Sequence, residues 1–269
     1  APLARQLQEM LDRLKPQNRE RIRHQQEGSE LDLDVALRSL IDWRAGDVRL
    51  VYGDGRLGHA PRAPYDSIIA AAQQCIAYMG LPDVVIANAG ISLGVDTAER
   101  EDLEVMRQVM DTNVLGMAAT FHPFIDAMQL RAEMSEVKTS GHVGTLVGIA
   151  SVAGIRGMPG HAAYCASKAA AISYCESLRG ELKSEGFKVV TLAPGYIQTP
   201  LTQKNKFPMP LLMGADDFAK AAFHAIEQGA SFRVIPTPMA WVARLLRVLP
   251  NALFDRAFKN VPRKHRATD

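Results

Sequence analysis

The sequence is poor in the residues that build metal or redox centres. Its three cysteines, Cys75, Cys165 and Cys175, form an odd set without a C-x-x-C pair. Such a set favours reduced thiols that pack in the interior, and with them a cytoplasmic location. The seven histidines are scattered, without an H-E-x-x-H motif or a Cys/His cluster. We therefore expect no metal.

The sequence also lacks an excess of one charge and lacks long apolar runs. Lys and Arg number 31 and Asp and Glu 29, so the net charge of +2 gives no indication of a nucleic-acid partner. No apolar run reaches the roughly 18 residues that a membrane span needs. No charged-then-apolar leader opens the chain. With 269 residues, 47% of them apolar, the composition favours one large α/β domain with a short extension.

Three regions of the chain differ in pattern. Residues 1–46 carry apolar residues at helical spacing and a capping-box pair, Ser29 and Asp32, and so predict a helical extension. In residues 47–260, short apolar, strand-like runs alternate with segments of helical periodicity, which is the pattern of a parallel sheet covered on both faces. Residues 261–269 form a basic tail. The predicted strands are Val48–Tyr52, Asp83–Ala87, Gly144–Ala150, Lys188–Leu192 and Phe232–Ile235, and the predicted helices are about 64–79, 98–134 with a break, 161–185 and 215–228.

The stretch Gly144–Lys168, GTLVGIASVAGIRGMPGHAAYCASK, contains an acid–base arrangement. Ser151 ends an apolar, strand-like run, and Tyr164 and Lys168 follow one helical turn apart. A phenol with a pKa of about 10 is a poor base at neutral pH, so it needs a nearby positive charge that lowers its pKa. Lys168 can supply that charge, and Ser151 can hydrogen-bond the same substrate oxygen. A Tyr-x-x-x-Lys pair by itself is usually structural, because many helices carry one by chance.

Three further motifs accompany this stretch in a fixed order: IANAG at 86–90, DTN at 111–113 and PGYIQTP at 194–200. The whole set resembles the short-chain dehydrogenase/reductase family over about residues 47–260. The resemblance implies a Rossmann-like, doubly wound α/β fold whose parallel strands follow the order 3-2-1-4-5-6-7. It also implies an NAD- or NADP-dependent oxidoreductase that acts on an alcohol or ketone. We further expect a homodimer or homotetramer.

The resemblance assigns roles to individual residues of this sequence. The residues that match the catalytic tetrad are Asn113, Ser151, Tyr164 and Lys168, with Asn113 holding a water that links Lys168 to solvent; a helix cap is the alternative for Asn113. Asp54 matches an acidic residue that contacts adenine. The other cofactor contacts that the resemblance implies are Asn88, Ala89 and Gly90 at the end of one strand, together with Tyr164 and Lys168. It also places Pro194 and Gly195 beneath the nicotinamide, the Ile197 backbone at the carboxamide, and Thr199 at the pyrophosphate. Thr199-Pro200 predicts a helix start there.

The family's first strand, its TGxxxGxG turn and its second strand have no counterpart in the sequence. GDGRLG at 53–58 matches G-x-G-x-x-G, but HAPRAP separates it from the next helix, and no acidic residue ends a strand about 20 residues later. We therefore expect an irregular or incomplete N-terminal half of the sheet, or one supplied by another chain. The choice between NAD and NADP cannot be read from the remaining residues.

Three questions stay open at this point. The chain is either an oxidoreductase or a catalytically silent relative that acts as an oligomerisation or interaction module. A serine hydrolase is disfavoured because Ser151 lacks the G-x-S-x-G turn. The apolar segment NKFPMPLLM favours an apolar substrate, with an ordinary packed loop as the alternative. From Trp241 onward a basic amphipathic helix, with Leu245, Leu246 and Leu249 near one face, predicts either peripheral membrane contact or burial against the domain or a partner.

Overall fold

The computed structural model describes residues 65–134, 142–199, 202, 208–259 and 266. The chain divides into two compact units, residues 1–82 and 83–269. In the first unit the described element is helix α1, Asp66–Met79, which ends at Gly80 with a φ of 81° and a hydrogen bond from the Gly80 N–H to the Ile76 carbonyl. The left-handed backbone favours glycine there and confirms the predicted end of this helix. The predicted extension 1–46, the strand Val48–Tyr52, the GDGRLG segment and Pro64 lie outside the described residues.

The second unit is built on a parallel sheet. Its described strands are β1 (Val84–Ala87), β2 (Gly144–Ile149), β3 (Phe187–Pro194) and β4 (Phe232–Ile235). They lie in the order β1-β2-β3-β4 and all pairs are parallel. Strands β2 and β3 are buried along most of their length, because their runs of small and β-branched apolar residues face helices on both sides. This confirms the predicted α/β class and the order of the family's last four strands.

The helices follow the predicted spacing. One difference is the break expected within 98–134, which is a π-helical turn at Asp111–Leu115 inside a continuous helical path. Another is the C-terminal stretch, which Pro250 divides into two helices. Within the described residues, no helix combines the length and the apolar character needed to cross a bilayer. The helices of this unit are α2 (Asp102–Met110), α3 (Gly116–Met134), α4 (Ala162–Leu182), α5 (Ala215–Glu227), α6 (Thr237–Val248) and α7 (Asn251–Phe258).

The core lies on both faces of the two central strands. On one face, Val147 and Val190 pack with Ala222 and other small apolar residues of α5. On the other face, Cys175 of α4 lies against Gly148 of β2, because successive residues of a strand point to opposite faces. Cys165 and Cys175 are buried and unpaired, as predicted for packing thiols, whereas Cys75 is half-buried.

A buried ion pair connects the end of the chain to the segment after β1. The Asp102 carboxylate, 1% exposed, accepts two hydrogen bonds from the Arg266 guanidinium, at 2.7 Å from Nε and 3.2 Å from Nη2. It also accepts one from the Asp96 N–H at 2.7 Å. These hydrogen bonds, with that from Arg266 the largest contribution, hold the pKa of Asp102 below its ordinary value of 3.8. The pair therefore stabilises the folded chain as long as the carboxylate stays ionised.

We expect Arg266→Met to lower the melting temperature at neutral pH, because it leaves a buried carboxylate without its cation. The difference in melting temperature between the wild type and the variant should shrink as the pH falls below about 4. Asp102 becomes protonated there first in the unfolded chain and, at still lower pH, in the folded chain. Thermal melts over this pH range test the prediction. Arg107→Met is the control, because Arg107 is largely exposed, with 58% of its side chain accessible in its ion pairs with Glu104 and Asp111. An equal loss at acid and neutral pH would contradict the ion-pair account.

Candidate active site

The candidate site lies where three parallel strands end. Because the carboxyl ends of parallel strands meet at one edge of a sheet, the segments that follow β1, β2 and β3 are neighbours. The pairing of Ala87 with Gly148, and of Ile149 with Leu192, puts these ends in register. The motifs at Asn88–Gly90, at Ser151 and at Pro194-Gly195 are therefore brought to the same edge, although they are far apart in the sequence.

Ser151 follows β2 and has a fixed side chain. Its backbone is extended, and its hydroxyl caps a single 3₁₀ turn, Val152–Gly154, by accepting a hydrogen bond from the Ala153 N–H at 3.2 Å. The same hydroxyl donates to the Pro194 carbonyl at 3.4 Å. The residue is buried. The hydroxyl is thus held between the end of β3 and the start of the turn that leads to α4.

Tyr164 and Lys168 lie on α4 and face this hydroxyl. The Ser151 hydroxyl is close enough to the Tyr164 phenol to lower its pKa, and the Lys168 Nζ is 5.9 Å from the centre of the tyrosine ring. Lys168 is 3% exposed, and its ammonium group donates to the Ile149 carbonyl at 2.8 Å. The three side chains therefore form one cluster, in which the Lys168 cation is buried and Tyr164 as a whole residue is half-buried.

The electrostatics of this cluster differ from the sequence prediction. We predicted that Lys168 lowers the pKa of Tyr164 toward neutrality. Instead burial raises the pKa of Tyr164, and the Ser151 hydroxyl opposes that rise only in part. Burial also lowers the pKa of Lys168 from 10.5 to about 8. The reason is that desolvation, which sequence spacing does not report, disfavours the phenolate and the ammonium alike. At neutral pH the phenol holds its proton and the amine is mainly charged.

Asn113 fastens the segment after β1 to the helices. It lies inside the π-helical turn and is completely buried. Its Oδ1 accepts from the Ile91 N–H at 2.8 Å, and its Nδ2 donates to the Ile91 carbonyl and to the Ser167 hydroxyl, both at 2.9 Å. The cap alternative is therefore wrong, since the side chain binds a different segment of the chain.

Ser167 is a site residue that the sequence analysis missed. It is completely buried, accepts from Asn113, and donates to the Tyr164 carbonyl at 2.8 Å. It thereby joins the π-helical turn to the helix that carries Tyr164 and Lys168. The sequence feature that could have identified Ser167 is its position three residues after Tyr164, which puts it on nearly the same side of α4.

Gly90 makes room at the centre of the site. A side-chain carbon at this position would lie 3.3 Å from the Asn113 Oδ1 and 3.3 Å from the Lys168 Nζ. The glycine thus lets the backbone lie directly against the buried amide and the ammonium group. Asn88 is exposed and Ala89 half-buried, so the segment between β1 and Gly90 lines an accessible surface.

The remaining predicted residues lie farther along the chain or outside the described residues. The Gly195 N–H donates to the Ile235 carbonyl at 2.8 Å. Ile197 is buried and pairs with Met213, and the Thr199 N–H donates to the Thr202 hydroxyl at 3.0 Å. The helix predicted to begin at Pro200 and the adenine contact Asp54 lie outside the described residues. Across the described segments, no group of three His, Cys, Asp or Glu residues could hold a metal ion.

The fold and the cluster together define a class of protein. It is an α/β protein with a parallel sheet and a buried Ser–Tyr–Lys acid–base group at the carboxyl edge of that sheet. The short chain dehydrogenase family model matches residues 62–208, more than half of the chain. The chain therefore belongs to the short-chain dehydrogenase family.

Individual relatives agree with this assignment. An uncharacterized oxidoreductase of Myxococcus xanthus is 40% identical over 66% of this chain and 66% of its own length. An uncharacterized oxidoreductase of Mycobacterium tuberculosis is 36% identical over 65% of each chain. The chain thus spans slightly less than two thirds of the length of these relatives. The crystal structure of a short chain dehydrogenase from Burkholderia cenocepacia in complex with NADP has the same fold, with a TM-score of 0.58, 23% identity, and coverage of 71% of this chain and 73% of that one.

We expect Gly154→Ala to destabilise the protein and disturb the site. A side-chain carbon at Gly154 would lie 2.6 Å from the backbone carbonyl of Lys168, so the turn after Ser151 would have to move away from α4. Such overpacking reduces the free energy of unfolding by about 1–3 kcal/mol. Denaturant unfolding measures the loss. The matched control is Gly157→Ala, which meets no atom within 4 Å and should change stability by about 0.5 kcal/mol or less; an equal loss in both variants would refute the predicted contact.

We expect Lys168→Met to remove a rise of stability with pH. The amine of the folded chain releases its proton near pH 8, whereas that of the unfolded chain does so near 10.5, so unfolding takes up a proton between these values. Lys168 therefore contributes a rise of about 2–3 kcal/mol to the free energy of unfolding between pH 8 and pH 10. Denaturant unfolding at several pH values compares the wild type with Lys168→Met and with Lys220→Met, which removes an exposed lysine of α5. Relative to Lys168→Met, the wild type should gain this amount over the range, whereas Lys220→Met should stay parallel to the wild type; a Lys168→Met curve parallel to that of the wild type would contradict the account.

Proposed function

We propose that this chain is an oxidoreductase that transfers hydride between NAD(H) or NADP(H) and an alcohol or ketone. Membership of the short-chain dehydrogenase family supports the class of reaction. The observation that carries the proposal is the cluster of the Ser151 hydroxyl, the Tyr164 phenol whose pKa this hydroxyl lowers, and the buried Lys168 ammonium 5.9 Å from the centre of the tyrosine ring. A hydroxyl, a proton donor and a cation at one point are the groups that a carbonyl oxygen needs when it becomes an alcohol.

The residues at the edge of the sheet fit a nicotinamide cofactor. Gly90 provides a space that a side chain would fill, directly beside the Lys168 Nζ. The ammonium group can donate three hydrogen bonds, and one goes to the Ile149 carbonyl. We assign the remaining donor capacity to the hydroxyls of a ribose. Bound there, the cofactor supplies the hydride. The loop that holds Pro194, Gly195, Ile197 and Thr199 would contact its nicotinamide end, as the family resemblance implies.

The side chains divide the proton chemistry among them. Ser151 holds the substrate oxygen, because its hydroxyl is already fixed between Ala153 and Pro194. Tyr164 delivers the proton from its phenol to that oxygen. Its raised pKa keeps it protonated at neutral pH, which is the form that donates a proton when a carbonyl is reduced. The charge of Lys168 stabilises the phenolate that remains. Asn113 would anchor the water through which the proton is replaced.

The substrate that best fits is an apolar alcohol or ketone. Leu211 and Leu212, each 45% exposed, lie in the loop before α5. The next residue, Met213, is fastened to the site by a hydrogen bond from its N–H to the Tyr196 carbonyl at 3.0 Å. The Tyr196 phenol is close enough to Tyr164 to contribute to the raised pKa there. An apolar loop thus adjoins the proton donor. The homodimer or homotetramer and the cytoplasmic location remain predictions.

We expect Tyr164→Phe to reduce turnover by about 10²- to 10⁴-fold, because it removes the proton donor and leaves the ring. The assay follows oxidation of NADH and of NADPH with a panel of apolar ketones. Tyr174→Phe is the control, since Tyr174 lies on the same helix and stacks on Phe121 away from the cluster. Unchanged turnover in Tyr164→Phe would exclude Tyr164 as the donor. If neither NADH nor NADPH binds the wild type in a fluorescence titration, the catalytically silent alternative replaces the proposed enzyme.

A further inference from the structure

Helix α6 presents an apolar stripe to solvent. Trp241, Leu245 and Val248 are spaced four and three residues apart, and they are 68%, 63% and 75% exposed. This spacing puts the three side chains on one side of the helix. Leu253 of α7, 56% exposed, adds to the same kind of surface a few residues later. We call these four residues the α6–α7 face. Large side chains exposed in such a continuous row are a feature of interaction sites.

The opposite side of α6 is fixed in the core. Met239 and Ala243 are buried, and Met239 packs with Ala193 and Val234. Arg156 adds hydrogen bonds from its guanidinium to the Leu246 and Leu249 carbonyls. The sequence prediction had placed these two leucines with Trp241 on one apolar side, but both are half-buried. Because the inner side is held in this way, the outward direction of the α6–α7 face is set by the fold.

Basic residues outnumber acidic ones in the two helices that carry the α6–α7 face. Between Thr237 and Lys259 there are four cations and one anion, Asp255. The Arg244 guanidinium lies 5.1 Å from the centre of the Trp241 ring. Tryptophan and aliphatic side chains bordered by arginine match the boundary between lipid headgroups and acyl chains, where the apolar part inserts and the cations meet anionic headgroups. A second copy of the chain fits less well, because a symmetric contact would bring two sets of cations together.

We propose that the α6–α7 face binds the surface of an anionic membrane. Trp241, Leu245, Val248 and Leu253 insert at the interface, while Arg244 and its basic neighbours contact lipid phosphates and carboxylates. The inner side of α6, opposite the α6–α7 face, reaches the candidate active site, because the buried Met239 packs against Gly195 at the end of β3. Membrane binding of this kind would hold the site close to a bilayer, where apolar alcohols and ketones concentrate. The binding itself does not depend on catalysis.

Vesicle sedimentation tests this proposal with the full chain. The wild type should sediment with vesicles of phosphatidylcholine and phosphatidylserine, and less with phosphatidylcholine alone. The apolar variant, Trp241→Ser with Leu245→Ser and Val248→Ser, should bind anionic vesicles at least about tenfold more weakly. The charge variant, Arg244→Glu with Arg256→Glu, should lose the preference for anionic vesicles. Phe223→Ser, which removes a 63% exposed side chain from α5, is the matched control and should bind as the wild type does.

Two further measurements keep the outcomes distinct. Melting temperatures verify that each variant is folded, and if the apolar variant is not folded, Val248→Ser alone and the charge variant decide the question. Analytical ultracentrifugation reports the oligomeric state. The proposal is overturned if the wild type stays in the supernatant with anionic vesicles, if it binds neutral vesicles equally well, or if a folded apolar variant binds like the wild type. It is also overturned if the wild type does not bind vesicles and the apolar variant dissociates an oligomer, because the face is then a contact between copies.

Discussion

A single buried ammonium group governs the arrangement of the candidate site. Lys168 is almost completely removed from water, and its one hydrogen bond among the contacts described here goes to the Ile149 carbonyl at the end of β2. Burial of a cation is unfavourable unless the surroundings stabilise its charge, which is why the pKa of this amine falls to about 8. The buried position of Lys168 also places its positive charge behind the Tyr164 ring. The carboxyl end of one strand and one turn of helix α4 therefore fix the electrostatics of the site.

The surrounding contacts keep this geometry in place. Asn113 holds the backbone of Ile91 through two hydrogen bonds and reaches Ser167 with a third. Ser167 in turn holds the Tyr164 carbonyl. A segment after β1, the π-helical turn and helix α4 are thereby joined in one hydrogen-bond network. A π-helical turn costs stability compared with a regular helix and is often found at functional sites, and here it brings the buried amide of Asn113 to Ile91.

The sequence predicted the elements well and the contacts poorly. Strand β4 has the predicted bounds, and the type of every described strand and long helix was predicted correctly, since apolar periodicity follows directly from burial. Ser167 was missed, and Asn113 was given a cap as its alternative, because their partners lie on other elements. The pKa of Tyr164 was predicted in the wrong direction, since spacing along a helix indicates a nearby charge but not the degree of desolvation. On α6 the helical pattern did not determine which of two apolar sides faces the sheet.

The most direct test of this account is the titration of Lys168 itself. NMR can follow the ε-carbon of this lysine in the full chain as the pH changes, with Lys168→Met to assign the signal. The account predicts an apparent pKa of about 8 for the amine. A pKa at the ordinary value of 10.5 would show that the ammonium group is in water, and the buried cation could not then organise the site.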